Sequence, residues 1–249
     1  MLNVLISGAC GKMGVKVAEA IAKNKDVTVT SGVDKFSGKA DFPIFCDFNS
    51  VDKKVDVVID FSSPQNLDNV LSFCLKKGVG AVLWTTGYSE SDIEKINDAS
   101  KSVPLFRSAN MSLGVNVLID LVKKAAKSLV GFDAEIVEMH HNEKVDAPSG
   151  TALMLADSIK SVNPEKFYVY GRNGKVGKRN KDEIGIHALR GGNVVGEHQV
   201  VFAGTNETVT LSHSASDRSV FAEGAVKAAI YLSGKKCGLF DMSDLINGR

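Results

Sequence analysis

The 249-residue chain lacks the marks of several specialised protein classes. Its four cysteines, Cys10, Cys46, Cys74 and Cys237, are far apart and form no CxxC pair, which argues against a disulfide framework or a cysteine-bound metal. No apolar run approaches the roughly 20 residues that a membrane helix requires. Basic and acidic residues number 30 and 29, so the formal net charge is only +1, and we expect neither a nucleic-acid nor a membrane partner.

The N-terminus also lacks the basic start, apolar stretch and small-residue cleavage site of a secretory signal, so we expect a cytoplasmic protein. What is present is the composition of an ordinary globular protein, with 44% hydrophobic and 24% charged residues. The length suffices for one large domain or two modest ones.

The first part of the chain has the rhythm of a parallel α/β domain. Segments rich in β-branched and aliphatic residues near positions 2–7, 27–33, 55–61, 80–85 and 103–107 alternate with amphipathic segments of helical length. The segment 55–61 is almost continuously apolar, as expected for a strand covered on both faces. We therefore expect a Rossmann-type parallel sheet.

The pattern changes after residue 111. A helical repeat is followed by the strand-like DAEIVEMHH, a helix near residues 151–161, and the segments EIGIHALR, GEHQVVFA and ETVTLSHS. The turn residues GGNVV and GTN between these last three segments indicate antiparallel hairpins. We expect an α+β domain with a mostly antiparallel sheet over residues 112–216, which binds substrate and forms oligomer contacts. Residues 1–111 and 217–249 are expected to form the dinucleotide-binding domain, to which the last helix returns.

The turn after the first predicted strand reads GACGKMG and places Gly8, Gly11 and Gly14 before a helix. Backbone amides and a helix N-terminus can hold a pyrophosphate there, because glycines leave the approach open. The spacing differs from the commoner GxGxxG, and three glycines can also serve only to pack a tight turn. Asp34, 20 residues after Gly14, can accept from a ribose 2′-hydroxyl, whereas the ammonium of Lys35 can tolerate a 2′-phosphate. The pair predicts NADH use without excluding NADPH.

The densest group of chemically active residues lies in EIVEMHHNEKVDAPSGTA. Alternation along the strand sends His140 and His141 to opposite sides, and Lys144 follows four residues after His140. These residues suit an anionic substrate that needs a proton. A zinc site is the alternative, but Glu138, His140, His141 and Glu143 match no HExxH or Cys/His spacing, so we expect no metal.

The same segment ends in a predicted helix start. Asp146, Pro148 and Ser149 form the entry, and the amides of Gly150 and Thr151 in the first turn can bind a carboxylate. The alternative is that Ser149 only caps its own helix.

The block HHNEKVDAPSGTA resembles the signature of the 4-hydroxy-tetrahydrodipicolinate reductases, also called dihydrodipicolinate reductases, of bacterial and plant lysine biosynthesis. The resemblance runs from GACGKMG through the last helix. It implies an NAD(P)H-dependent oxidoreductase acting on a cyclic dicarboxylate, with His140 and Lys144 as catalytic residues. The substrate-binding residues it implies are His141, Ser149, Gly150, Thr151 and, from across a cleft between the domains, Thr86. The cofactor-binding residues it implies are Gly8, Ala9, Cys10, Gly11, Lys12, Met13, Asp34, Lys35, Trp84, Thr85, Thr86, Ser108, Ala109, Asn110 and Met111.

The resemblance also implies a reaction course and an assembly. A hydride goes to C4 of a cyclic conjugated imine, and the resulting enamine is protonated at C3. Lys144 suits the acid, because an unperturbed lysine has a pKa of about 10.4, and His140 is a proton donor or acceptor whose share is open. Trp84 stands where the family usually has glycine, so either the nicotinamide pocket is altered or the indole is a core aromatic. The family is typically homotetrameric.

Two arginines carry separate expectations. Arg190, in LRGGNVVGEH, is assigned a structural position on a sheet-edge hairpin, and Arg218 is assigned to hinge and packing. Two other functions are considered. A dehydrogenase acting on aspartate or homoserine shares the nucleotide fold but does not explain the His-His, lysine and Ser-Gly-Thr set, and the third hypothesis is an NAD(P)H-binding sensor without turnover.

Overall fold

Residues 1–36, 38–85 and 87–248 are described by the computed structural model of the chain. They divide into two compact units. The first comprises Met1–Leu113 and Ser219–Arg249, and the second comprises Gly114–Arg218. The sequence pattern placed these divisions after residues 111 and 216.

The first segment of unit one alternates strands and helices. In chain order it contains β1 (Leu2–Ser7), α1 (Lys12–Ala22), β2 (Val27–Val33), β3 (Ile44–Phe45), β4 (Val57–Asp60), α2 (Leu67–Lys77), β5 (Gly80–Leu83), α3 (Glu90–Ser100) and β6 (Pro104–Arg107). Single 3₁₀ turns lie at Phe48–Ser50 and Pro64–Asn66.

The rest of the chain begins with the second unit. Its elements are α4 (Leu113–Ser128), β7 (Asp133–His140), α5 (Gly150–Lys160), β8 (Phe167–Tyr170), β9 (Glu183–Arg190), β10 (Gly196–Ala203) and β11 (Thr208–Ala215). The chain then returns to unit one with α6 (Ser219–Leu232), β12 (Gly238–Phe240) and α7 (Met242–Asn247). No helix within the described residues has the length and apolar character needed to cross a membrane.

The sheet of unit one is parallel throughout, in the order β12-β6-β5-β4-β1-β2-β3. The strand order reverses between β1 and β4, which is the switch point at which open α/β sheets bind ligands beyond the strand carboxyl ends. Both faces are covered, because Val4 and Ile6 of β1 join one apolar cluster while Leu5 joins the other. The predicted Rossmann-type sheet is confirmed.

Helix α6 packs against this sheet through small side chains. Ala222, Ala225, Ala228 and Ala229 are fully buried in the same cluster as Val4 and Ile6 of β1. The helix comes so close that a Cβ on Gly224 would lie 1.8 Å from the carbonyl oxygen of Met111.

The second unit contains a five-stranded sheet in the order β11-β10-β7-β9-β8. β10 runs antiparallel to β7 and to β11, whereas β9 runs parallel to β7 and to β8. The GTN turn joins a true hairpin, β10 to β11, as predicted. The expected hairpin through GGNVV is wrong, because β7 lies between β9 and β10 and forms hydrogen bonds with both. The α+β character of this unit is confirmed.

Candidate active site

The glycine turn joins β1 to α1 in unit one. Gly8 has φ +80° and donates its amide to the carbonyl of Val33 at 2.9 Å, and the Gly11 amide donates to the Gly8 carbonyl at 3.1 Å. A Cβ on Gly14 would lie 2.2 Å from the Gly8 carbonyl oxygen, so the first turn of α1 can lie this close to the loop only with glycine there. The turn therefore has the open backbone that a pyrophosphate needs.

A cavity of about 1150 Å³ opens beside this turn. Its lining includes Gly8, Cys10, Gly11 and Lys12 from the turn, Asp34 and Lys35 from the end of β2, and Ser62, Ser63 and Asn66 beyond β4. The cavity thus lies at the carboxyl ends of the strands that flank the switch point.

Asp34 is held in place by the turn itself. One carboxylate oxygen accepts from the Cys10 amide at 2.9 Å, and the other accepts from the Phe36 amide at 3.1 Å. A carboxylate has about four acceptor positions, so two remain for ribose hydroxyls. The side chains of Ala9 and Met13 pack into the core, and only their backbone belongs to the turn. The glycine turn, the cavity beside it and the Asp34 carboxylate together fit the binding of a dinucleotide.

The strand ends of β5 and β6 contribute a second group. Trp84 lies edge-on to Phe61 with ring centroids 4.5 Å apart and is stacked on Phe221 at 5.4 Å, and its indole nitrogen is buried without a hydrogen-bond partner among the described residues. The Thr85 hydroxyl donates to Asp60 at 2.9 Å. Thr86 lies outside the described residues.

Beyond β6, a short polar turn precedes α4. Ser108 donates its hydroxyl to the Asn110 carbonyl at 2.7 Å, and the Asn110 side chain accepts from the Ser112 amide at 2.8 Å. Ala109 is exposed, whereas the Met111 side chain is fully buried in the core. The turn is therefore held by its own hydrogen bonds.

Asp60, at the end of β4, was missed by the sequence interpretation. It is fully buried, and this burial raises the pKa of its carboxyl. It accepts from the hydroxyls of Ser62 at 2.6 Å and Thr85 at 2.9 Å, so it joins the loops after β4 and β5. The signal that could have identified Asp60 is its position at the carboxyl end of an apolar strand beside the switch point of the sheet.

The second unit holds the predicted reacting residues. Along β7, Ala134, Ile136, Glu138 and His140 are buried on one face, so Glu138 and His140 point the same way. His141 follows the strand, half-exposed, with its Nε2 atom 3.4 Å from the Arg218 guanidinium. Of the two adjacent imidazoles, only that of His140 is thus buried.

Glu138 is the centre of this arrangement, and the sequence interpretation considered it only as a metal ligand. Its Oε1 accepts from the Ser149 amide at 3.0 Å and from Arg190 at 2.8 Å. Its Oε2 accepts from Arg190 at 2.8 Å and contacts His140 Nδ1 at 2.6 Å. Burial alone raises the pKa of this carboxyl, but the Arg190, His140 and Ser149 hydrogen bonds outweigh it and hold the pKa below its usual value.

The expected sheet-edge hairpin for Arg190 is wrong, because this residue ends β9, an inner strand between β7 and β8, and its guanidinium binds the buried Glu138 carboxylate. The parallel pairing of β7 with β9 places Arg190 beside His140, and a second contact joins its guanidinium to the Asp146 carbonyl at 2.7 Å. Burial lowers the pKa of His140, as do the charges of Lys144 and Arg190, against the opposing effect of Glu138. His140 is therefore neutral near pH 7.

Ser149 caps α5 and also contacts a histidine that the sequence interpretation missed. Its hydroxyl accepts from the Ala152 amide at 3.2 Å and lies 3.0 Å from Nε2 of His198 on β10. Burial, and then the nearby His140, lower the pKa of His198 to about 4. Gly150 is the exposed first residue of the helix, and Thr151 follows it.

Lys144 lies in the loop after β7. Its amide donates to the His141 carbonyl at 3.2 Å, and its ammonium pairs with the Asp146 carboxylate at 2.7 Å. That pair lowers the pKa of Asp146. Within the described ranges, no three His, Cys, Asp or Glu side chains are grouped so that they could hold a metal ion.

Two family models together match nearly the whole chain. The model "Dihydrodipicolinate reductase, N-terminus" matches residues 2–111, and "Dihydrodipicolinate reductase, C-terminus" matches residues 114–246. The chain belongs to the dihydrodipicolinate reductase family. It is accordingly an NAD(P)H-dependent oxidoreductase.

Individual members of this family are similar over their whole length. The chain is 54% identical over 247 residues to the 4-hydroxy-tetrahydrodipicolinate reductase of Caldanaerobacter subterraneus subsp. tengcongensis, covering 99% of this chain and 98% of the relative. It is 47% identical over 250 residues to that of Clostridium tetani, with the same coverage. Among solved structures, the dipicolinate-bound dihydrodipicolinate reductase from Paenisporosarcina sp. TG-14 matches with TM-score 0.82 and 25% identity, over 97% of both chains.

Proposed function

We propose that this chain reduces 4-hydroxy-tetrahydrodipicolinate to tetrahydrodipicolinate, in the diaminopimelate route to lysine, with NADH or NADPH as the reductant. The observation that carries the proposal is the buried Glu138, which joins His140 to the start of α5 in a chain that both family models cover. The substrate named for the relatives is a cyclic dicarboxylate precursor, and this site offers cations and helix amides to such a compound.

The cofactor is assigned to unit one. The amides of Lys12 and Met13, in the first turn of α1, are assigned to the pyrophosphate, because the amides from Gly8 to Gly11 already donate to protein oxygens. Asp34 accepts from the ribose, and the loops after β5 and β6 line the nicotinamide. The reduced nicotinamide supplies the hydride. Asp34 favours NADH, while Lys35 lines the same cavity and offers an ammonium to the 2′-phosphate of NADPH.

The dicarboxylate is assigned to the helix start in unit two. Ser149, Gly150 and Thr151 bind one carboxylate, because the N-terminus of a helix favours negative charge. His141 binds beside them, with the Arg218 guanidinium 3.4 Å away adding positive charge. Thr86, which lies outside the described residues, stays a predicted member of the substrate-binding set. Support for dicarboxylate binding comes from the solved relative that holds dipicolinate.

Lys144 is proposed as the acid that protonates C3 of the reduced ring. Its partner, Asp146, has a side chain 54% exposed, and such solvated ion pairs are weak enough to exchange for a substrate carboxylate. His140 is neutral near pH 7, so it accepts or relays a proton and does not carry the positive charge.

Steady-state kinetics with both cofactors tests this function. The substrate is generated in place by the preceding synthase, and oxidation of NADH or NADPH is followed optically. We expect turnover with both, and absence of oxidation with either cofactor would refute the proposal. Calorimetric titration with pyridine-2,6-dicarboxylate, with L-aspartate as the matched control, separates the alternatives, since a sensor or an aspartate dehydrogenase should not bind the ring compound.

We also propose a homotetramer in the cytoplasm. Support for assembly comes from the outer face of the five-stranded sheet, where Val137, Met139 and Val201 are half-exposed and Leu189 is 45% exposed. Four free cysteines are consistent with a reducing compartment.

A further inference from the structure

The four contacts to Glu138 fix the hydrogen on His140. An ionised carboxylate only accepts hydrogen bonds and has about four acceptor positions, and here the two Arg190 nitrogens, the Ser149 amide and His140 occupy them. The Glu138 side chain is fully buried, so water does not compete for these positions. His140 must therefore donate from Nδ1, and in the neutral ring the lone pair is on Nε2.

We propose that Glu138 is a positioning residue, which fixes His140 in the Nδ1-protonated tautomer and ties that ring to the substrate-binding start of α5. The inference rests on the proposed function, because it assigns Glu138 a role in the same site. Through Arg190 the carboxylate also reaches the Asp146 carbonyl, and hence the loop that carries Lys144. One buried charge thus holds together the strand, the loop and the helix.

The rest of the His140 ring is also constrained. Nε2 lies 3.1 Å from the position that a Cβ on Gly196 would take. The ring faces Glu138 on its own strand, Arg190 on β9, His198 on β10 and Lys144 in the following loop. Of these groups, only Glu138 accepts a hydrogen bond from the ring.

The chain contains a matched control on the same strand. Glu135 points to the opposite face of β7, where Arg172 binds it through two nitrogens at 2.9 Å and His187 Nε2 lies 2.8 Å away. This is also a Glu-Arg-His group, with a second arginine, Arg179, at 3.0 Å and with a carboxylate that is 23% exposed, and it lies outside the proposed site. If kcat falls in Glu138 variants alone, the cause is therefore the place of Glu138 beside His140 and not the removal of an ion pair as such.

The test compares Glu138→Gln with Glu135→Gln in the full-length enzyme. In Glu138→Gln, the amide NH₂ group faces an Arg190 nitrogen and, with it, either the Ser149 amide or His140 Nδ1. We therefore expect kcat to fall about 10- to 100-fold with the KM for NADH unchanged. The pH dependence of kcat should also shift, whereas Glu135→Gln should keep the wild-type kcat and pH profile. Equal rates and pH profiles in wild type and Glu138→Gln would overturn the positioning role.

A double variant separates positioning from folding. Glu138→Met with Arg190→Met replaces the ion pair by apolar side chains, which leaves no uncompensated charge. We expect this variant to melt close to the wild type yet retain the kcat loss, and recovery of kcat together with stability would overturn the inference.

Histidine ¹⁵N spectra supply a readout that is independent of turnover. We expect wild-type His140 to carry its proton on Nδ1 and the double variant to shift toward the Nε2 tautomer. If wild-type His140 shows this tautomer but the protein oxidises no cofactor, the proposed function is refuted and the positioning role of Glu138 stands. A wild type that turns over with His140 protonated on Nε2 would refute the positioning role alone.

Discussion

At the scale of single residues, the two cations near His140 are engaged very differently. Arg190 binds a fully buried carboxylate through two nitrogens, and removing either partner of such a pair leaves a buried charge. Lys144 is paired with the exposed Asp146 carboxylate, an interaction worth roughly 0–1 kcal/mol. Arg190 is therefore part of the scaffold, and Lys144 is the cation able to change partners.

This difference leads to a prediction for Lys144→Ala. We expect kcat to fall by roughly 10² to 10⁴, the usual range for a general acid, because the other cation is fixed on Glu138. NADH binding, measured by fluorescence titration, should be unchanged. Lys124→Ala, an exposed lysine on α4, is the control and should retain full activity. Full turnover by Lys144→Ala would remove this residue from the chemistry.

His198 makes stability depend on pH. Its folded-state pKa of about 4 lies below the usual value of about 6.5, so between these values the unfolded chain binds a proton that the folded chain does not. Stability is therefore complete above pH 6.5 and is lost as pH falls toward 4. The side chain is only 4% exposed, so solvent screening is small.

We expect the free energy of unfolding to fall by roughly 2 kcal/mol between pH 7 and pH 5 from this residue. The buried His140 and the half-buried His213, whose pKa values are also lowered by burial, add to the loss. Urea denaturation at both pH values measures the effect. Glutamine in His198→Gln keeps a hydrogen-bonding group for Ser149 but does not titrate, so the stability of this variant should depend less on pH. An equal pH dependence in both proteins would show that His198 is not the source.

Several residues of the candidate site could be predicted from the local sequence pattern, and others could not. Glu138 and His140 are two residues apart on a strand, so alternation alone places them on one face, and the motif predicted the helix start at Ser149. Arg190 could not be placed, because its contact depends on the register of β7 with β9, which no local pattern specifies. His198 pairs with Ser149 across 49 residues, and nothing near either residue indicates it.

At the scale of elements, the turn from β1 to α1 depends on how closely the helix approaches the loop. Alanine is favoured over glycine within a helix by about 1 kcal/mol, so propensity alone predicts that Gly14→Ala stabilises α1. A Cβ there would lie 2.2 Å from the Gly8 carbonyl oxygen and 2.8 Å from Ala9 Cα, and both atoms are backbone. The steric conflict therefore outweighs the propensity.

We expect Gly14→Ala to lower the free energy of unfolding by roughly 1–3 kcal/mol and to weaken NADH binding at least about tenfold. Denaturant unfolding and fluorescence titration measure the two effects. The control is Gly234→Ala, where an added Cβ meets nothing within 4 Å and stability should change by less than about 0.5 kcal/mol. Wild-type NADH affinity in Gly14→Ala would show that the turn does not bind the cofactor.

The helices and strands that the sequence predicted are those long enough to show an apolar pattern. The five predicted parallel strands and the helices after them have clear apolar patterns, and they are present. The strands β3 and β12, with two and three residues, are too short to show a period. The order of β9, β7 and β10 was also out of reach, because a Gly-Gly-Asn turn is compatible with a hairpin and with a crossover past an intervening strand.

At the scale of the whole molecule, the outer face of the five-stranded sheet carries an apolar patch beside the charged group around Glu135. Val137, Met139 and Val201 alternate outward along β7 and β10, and Leu189 of β9 lies beside Met139. Most of the other outward residues on β10 and β11 are uncharged, including Gln199, Ser212 and Thr210. A face of this kind suits burial against another copy of the chain.

We therefore expect a sedimentation mass near 106 kDa, four times the 26.6 kDa of one chain. Val137→Lys, at the centre of the outer face, should lower this mass, because contact with another copy would bury an unpaired ammonium. Val130→Lys is the matched control, since Val130 is 84% exposed in the connection before β7 and should tolerate a charge. If the wild type sediments with the mass of one chain, the protein does not assemble. If the mass of Val137→Lys equals that of the wild-type oligomer, the assembly surface lies elsewhere. The same runs with pyridine-2,6-dicarboxylate present separate assembly from binding, because the site proposed for this ligand is on the opposite, helix-covered side of β7, where Glu138 and His140 point.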